Sequence, residues 1–328
     1  MVLKTSMEKK NKHPSKEKVN RNVSKVSFSL AFIRFTFKYL GPLFPVFAAK
    51  KALALFMTPK RRRESQLPLL FKRAYLTGTA YRDTRIRGYM WGNTGKIVLL
   101  VHGWESSSRI FESFVSPLLA SGYRVMAIDG PAHADSTQKQ TNMVDFGDAL
   151  YKIVQRLEKS GGVYALIGHS FGGSSLINML YRRSTPGTLK KIVIIASPSR
   201  IDNIFSNFFQ YLHLPERVIK EFKILMAKNF NLKIEDLKLE NWVHDLSLDK
   251  VLIVHDRNDK IIPYKEAEAL VQAWKKSRFL LTEGLGHNRI MKNPEVIDEI
   301  INYLQEEETI AFHKIEVNPI NNKIIAEN

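Results

Sequence analysis

Six apolar runs of five to eight residues mark the chain: Lys96–Val101, Arg124–Asp129, Val163–Ile167, Lys190–Ser197, Lys250–His255 and Arg278–Glu283. Their Val, Ile and Leu positions are near-continuous rather than alternating, the pattern of buried strands. Between them the period changes. Phe146, Leu150, Ile153, Val154 and Leu157 fall at i, i+4, i+7, i+8 and i+11, one stripe of a helix over 144–159 that Gly161 and Gly162 close. Helices are also read at 108–121, 264–275 and 294–304. Strands alternating with helices predict βαβ units, hence a mostly parallel central sheet flanked by helices. Tyr81–Trp91 alternates roughly with period two and reads as an antiparallel edge hairpin before that sheet. Residues 199–246 break the rhythm. They are helical in pattern and dense in aromatics such as Phe205, Phe208, Phe209 and Phe222, too long for one crossover helix, and are expected to form a cap.

Candidate chemistry sits where the runs end. Gly168-His169-Ser170-Phe171-Gly172 follows the strand at 163–167 and precedes a stretch from Gly173 that can start a helix. Strand, sharp turn and helix around G-x-S-x-G form the context of a nucleophile elbow, where Gly168 and Gly172 keep Cβ atoms away from the turn. A serine hydroxyl needs a general base, and the base needs an acid to hold its tautomer. Downstream, the strand ending at His255 runs into a polar turn containing Asp256 and Asp259. The strand at 278–283 runs into a glycine loop that ends in His287. The order is thus Ser170, an aspartate, then His287, each just past the C-terminal end of a strand, where the crevice of an open parallel sheet lies. A further strand ends in His102-Gly103-Trp104, a loop able to aim the Trp104 N–H at a developing oxyanion, with the Phe171 N–H as second donor. His102, His133 and His169 are read as bonding loop backbone. His255 ends its strand beside the acid turn. With no Cys and no H-E-x-x-H, neither a catalytic metal nor a cofactor is expected.

Over about residues 75–308 the chain resembles the α/β-hydrolase superfamily, through LLVHGW at 99–104, VMAIDGPAHADS at 125–136, IGHSFGG at 167–173, IVIIASP at 192–198, VLIVHDRNDKIIP at 251–263 and TEGLGHNRI at 282–290. The resemblance is to the esterase and lipase-like serine hydrolases. It implies Ser170 as nucleophile, His287 as base and Asp259 as acid, since Ile262-Pro263 follows Asp259 at the family's spacing; Asp256 is the rival. Ala132 and Ala134 stand where the family usually has glycine. Alanine resists positive φ, so this loop is expected to take a different path.

Charge divides the chain. Residues 1–73 hold 18 Lys and Arg against Glu8, Glu17 and Glu64, so they carry +15 of the net +18, and the rest is nearly neutral. Residues 1–25 read as disordered by composition. Residues 26–59 are apolar and aromatic, broken by Gly41-Pro42 and Pro45, and read as two short amphipathic helices followed by Lys60-Arg61-Arg62-Arg63. The longest uncharged stretch there, Tyr39–Ala49, is far short of the ~20 residues of a membrane span, and a secretory signal is not read. Two readings stand for 26–63: contact with an anionic membrane surface, or packing on the body. No nucleic-acid module is recognised.

The domain reading is therefore an extension at 1–73, a hydrolase body at 74–308 with its cap at 199–246, and a tail at 309–328. The expected function is hydrolysis of an apolar carboxylic ester or thioester through an acyl-enzyme on Ser170. The alternatives are an acyltransferase on the same nucleophile and a catalytically silent, membrane-peripheral binding protein. The absence of cysteine accords with the cytoplasm, with association at the inner face of a membrane as the second expectation.

Overall fold

The computed structural model describes residues 28–61, 66–246, 248–306, 315–317 and 324–326. The stretch read as disordered, 1–25, lies outside them. Ten strands form one sheet: β1 (Tyr75–Tyr81), β2 (Thr84–Trp91), β3 (Ile97–Val101), β4 (Arg124–Asp129), β5 (Ala165–His169), β6 (Lys191–Ile195), β7 (Val251–Asp256), β8 (Ser277–Thr282), β9 (Ile315–Val317) and β10 (Ile324–Ala326). Their order is β1-β2-β4-β3-β5-β6-β7-β8-β9-β10. Strands from β4 through β9 in that order pair parallel, while β1-β2, β2-β4 and β9-β10 pair antiparallel. The six apolar runs are the six inner parallel strands, and every residue of β3, β5, β6 and β7 is buried. Such strands have no solvent face, which is why their apolar pattern does not alternate. The antiparallel edge is the hairpin β1-β2, joined at Arg82 and Asp83 and beginning before Tyr81. β9 and β10 extend the other edge from a tail that carried no strand signal.

Nine longer helices accompany the described strands: α1 (Phe28–Phe35), α2 (Pro45–Phe56), α3 (Glu112–Ala120), α4 (Met143–Glu158), α5 (Phe171–Arg182), α6 (Ile201–Leu212), α7 (Glu216–Phe230), α8 (Tyr264–Ala273) and α9 (Pro294–Gln305). Two cores sandwich the sheet. One lies under α4, α5 and the 199–246 insertion, the other under α3 and α9. α4 starts at an Asn142 cap that accepts the Asp145 N–H, and α9 at an equivalent Asn293 cap with Pro294 as first helical residue.

The extension and the insertion pack together. Phe56 of α2 stacks on Phe205 of α6 at 4.4 Å and meets Phe208 edge-on at 5.0 Å. Ala48, Ala49 and Ala52 make the inner side of α2 small enough for close approach. Arg34 donates to the Tyr211 carbonyl at 2.7 Å and lies over its ring. Thus α1 and α2 join α6 and α7 as one helical layer over the first core. No helix among the described residues is long and apolar enough to cross a membrane.

Candidate active site

Ser170 stands between β5 and α5 with φ 53° and ψ −125°, a conformation that costs an L-residue about 1–3 kcal/mol unless its surroundings impose it. They do. Its N–H donates to the Ile195 carbonyl at 2.8 Å, and its carbonyl accepts the Ser197 hydroxyl at 2.7 Å. A Cβ on Gly172 would lie 2.3 Å from the Val101 oxygen, and one on Gly168 would lie 2.6 Å from the Gly173 Cα. Gly103 is also tight, since a Cβ there would fall 2.9 Å from that of Ser170. These glycines are fixed by backbone approach.

β3, β5, β7 and β8 end on one side of the sheet, and their loops bring together the residues singled out in the sequence. The His287 Nδ1 lies 2.7 Å from the Asp259 Oδ2. A carboxylate can only accept, so Nδ1 carries a proton, and in the neutral tautomer that this bond selects, the lone pair is on Nε2. The second Asp259 oxygen accepts the N–H groups of Ile261 and Ile262 at 2.8 and 2.9 Å. Burial works to raise the Asp259 pKa, but the His287 hydrogen bond and the Ile262 N–H outweigh it and hold the carboxyl below its ordinary value. Asp256 is engaged elsewhere. It accepts from the Asn258 and Leu285 N–H groups and from the Thr282 hydroxyl, tying the acid turn to the His287 loop. Among the described residues no hydrogen bond joins the Ser170 hydroxyl to His287; such contacts often tighten only with substrate bound.

The Trp104 and Phe171 rings meet edge-on at 5.1 Å, so the β3 loop and the elbow touch. Neither residue's N–H has an acceptor among the described residues. Phe146 and His133 complete this aromatic group, the first packing on Phe171 at 5.4 Å and the second on Trp104 at 5.2 Å.

Three buried histidines brace these loops. His102 pairs through Nδ1 with the Gly103 carbonyl at 2.7 Å and accepts the Gly130 N–H at Nε2, joining the β3 and β4 loops. His133 reaches the Pro131 carbonyl at 2.8 Å. His169 donates through Nε2 to the carbonyl of His287 at 3.1 Å, and the two rings lie 4.8 Å apart. Burial lowers their pKa values to about 4, about 3 and about 3, so all three are neutral. His255 is also lowered, chiefly by burial, and contacts the Ile262 carbonyl at 3.0 Å. Its approach to Asp259 at 3.9 Å is therefore not an ion pair.

Both alanines of the 129–136 loop adopt the positive φ that alanine resists. Ala132 has φ 64° and Ala134 φ 39°. The loop takes left-handed backbone despite its side chains, held by the Asp129 carbonyl accepting the Ser136 hydroxyl at 2.6 Å and by Ser136 accepting the Arg87 N–H at 3.0 Å. Sequence reasoning also missed a strap from the extension: the Lys60 N–H donates to Glu105 at 3.1 Å, and Arg61 donates to the Ala132 carbonyl at 3.1 Å. The only sequence signal there is the basic run. Among the described residues no group of three His, Asp or Glu could hold a metal. An open depression of about 590 Å³, lined by Met57, Thr58, Gln138, Asn142 and Phe230 among others, includes none of the elbow, acid or histidine residues.

A family model described as alpha/beta hydrolase fold matches residues 96–236, and one described as TAP-like protein matches 238–311. A non-heme chloroperoxidase of Streptomyces lividans is 26% identical over 68% of this chain and 96% of its own length. A bifunctional esterase/perhydrolase of Acinetobacter calcoaceticus is 28% identical over 42% of this chain and half of its own. The solved structure of an esterase from Pyrococcus furiosus shares the fold at TM-score 0.56 and 21% identity, over 76% of this chain and 97% of that one. Sheet order, elbow and family models agree: the chain belongs to the α/β-hydrolase superfamily and is a hydrolase of that fold.

Proposed function

We propose that the protein cleaves a carboxylic ester or thioester through an acyl-enzyme on Ser170. The observation that supports this is the 2.7 Å bond from His287 to Asp259, in a loop tied to the elbow by His169, because in the neutral ring it leaves the lone pair on Nε2. The Ser170 Oγ attacks the acyl carbonyl while His287 Nε2 takes its proton. The oxyanion rests on the Trp104 and Phe171 N–H groups, and His287 returns the proton to the leaving alkoxide or thiolate. Water, deprotonated by His287, then attacks the acyl-enzyme, and the carboxylic acid leaves. Asp259 stays ionised and holds the imidazolium. The half-buried Trp104 and Phe171 rings give the elbow an apolar flank, which supports an apolar acyl group.

A fluorophosphonate probe tests the assignment. Labelling is expected at Ser170, abolished in Ser170→Ala and reduced in His287→Ala. An unlabelled, folded protein would refute it. Transfer of the acyl group to an acceptor other than water is a second reading. It is favoured by the likeness to a protein whose name joins esterase to perhydrolase. Product analysis with added alcohol or peroxide separates the two: free acid alone leaves only hydrolysis.

A further inference from the structure

We infer that the outward face of α1, the turn at 36–44 and α2 is a docking surface for an anionic lipid bilayer. The inner side of this hairpin is spent on the body, but its outer side is not polar. Phe28, Phe32, Leu43, Phe44 and Phe47 are between 62% and 89% exposed. Of the 17 large hydrophobic residues exposed among those described, 10 fall between Phe28 and Leu55, under a tenth of the chain. Exposed apolar residues scattered singly need no explanation, whereas a concentration of this kind marks an interaction surface.

Charge identifies the occupant. Lys38, Lys50 and Lys51 are exposed within the same face, and two of them lie over its rings: Lys38 at 5.2 Å from the Tyr39 centroid and Lys51 at 5.3 Å from that of Phe47. No acidic residue occurs between Lys18 and Arg63. A second copy of the chain would bring this basic face against itself, and the basic residues preceding α1 would repel it likewise. Aromatic side chains interleaved with lysines match the boundary between acyl chains and anionic headgroups. Neither helix spans a bilayer, so the face lies on the surface with its rings inserted. Because α2 packs on α7, touches α6 through Phe56 and leads into the strap on Glu105 and Ala132, docking sets the helical layer above the elbow against lipid.

The test is flotation of the full chain with vesicles of phosphatidylcholine alone or mixed with phosphatidylglycerol. Binding is expected to the mixed vesicles and to weaken as salt shortens the screening length from about 10 Å to about 3 Å. Phe32→Ser with Phe44→Ser should lower partition roughly tenfold or more, and Lys38→Glu with Lys50→Glu and Lys51→Glu should remove the preference for anionic lipid. Circular dichroism unchanged in both variants keeps the comparison valid. Three results overturn the inference: no flotation, flotation kept in both variants, or sedimentation as a dimer that the Phe variant splits. Flotation is read without turnover, and Ser170→Ala should float like the parent, so this result stands apart from the chemistry at Ser170.

Discussion

Lowering the pH from about 7 to about 5 is expected to cost about 6 kcal/mol of stability through His102, His133 and His169. His102, His133 and His169 are neutral in the fold, with pKa values near 4, 3 and 3. In the unfolded chain each returns to about 6.5. The folded values lie below the unfolded ones, so the unfolded chain binds protons first. The contribution to stability is complete above about pH 6.5 and declines as pH falls from there toward the folded values. At about pH 5 an unfolded histidine is roughly 1.5 pH units below its pKa, which is worth about 2 kcal/mol, and three give about 6. The sum holds for any folded values below 5, so it rests on burial rather than on the depth of each shift. It is comparable with the whole stability of a typical domain, about 5–15 kcal/mol. Urea unfolding followed by tryptophan fluorescence at both pH values measures it. His133→Asn, whose amide can still donate to the Pro131 carbonyl, should reduce the loss by about 2 kcal/mol whatever its effect at neutral pH. A loss below about 2 kcal/mol in the parent chain would show that these rings take up protons without unfolding, and would refute the bracing role.

Asp259→Asn should lower turnover roughly ten-thousandfold, because an amide favours the wrong His287 tautomer. Asp256→Asn should instead cost about 1–3 kcal/mol of stability by unpairing Thr282 or Leu285, while Ser170 is still labelled by the phosphonate. A reversed pattern would make Asp256 the acid. Gly172→Ala forces a Cβ to 2.3 Å from a backbone oxygen and should cost about 3 kcal/mol or more, with loss of labelling; a variant with an unchanged melting temperature would contradict the elbow geometry. Ala132→Gly relieves a left-handed residue and should stabilise by up to about 1 kcal/mol, against the usual penalty for glycine. A melting temperature several degrees lower would show that the loop is not strained there.

The sheet was legible because burial on both faces leaves an apolar run that local sequence cannot hide, and α4 because its stripe keeps one period through Leu157. The elbow, the acid turn and the His287 loop were legible for a related reason. Each follows directly on such a strand, so strand ends fix where the loops gather. The tie between Asp256 and Thr282 was not, since it depends on the register that sets those two residues opposite each other in β7 and β8. Nor was the conformation of Ala132, where neighbouring hydrogen bonds override a residue's own preference. The packing of α2 on α7, with Phe56 reaching Phe205 of α6, was hidden most completely. Two amphipathic segments show which side is apolar but not which partner covers it, and only the folded chain separates the covered side of α2 from the side left open.

That pairing sets an order on the making of the protein. Phe56 leaves the ribosome about 150 residues before Phe205, the ring on which it stacks. At about 5–20 residues per second, the aromatic hairpin waits roughly 7 to 30 seconds for its partner. Throughout that interval the side of α2 that Phe205 and Phe222 cover is open, and the strands that carry Ser170 are completed beneath an unfinished roof. A segment made well before its partner is thus secured only late, and until then it is an aromatic stretch of nascent chain that a chaperone or a lipid surface can cover.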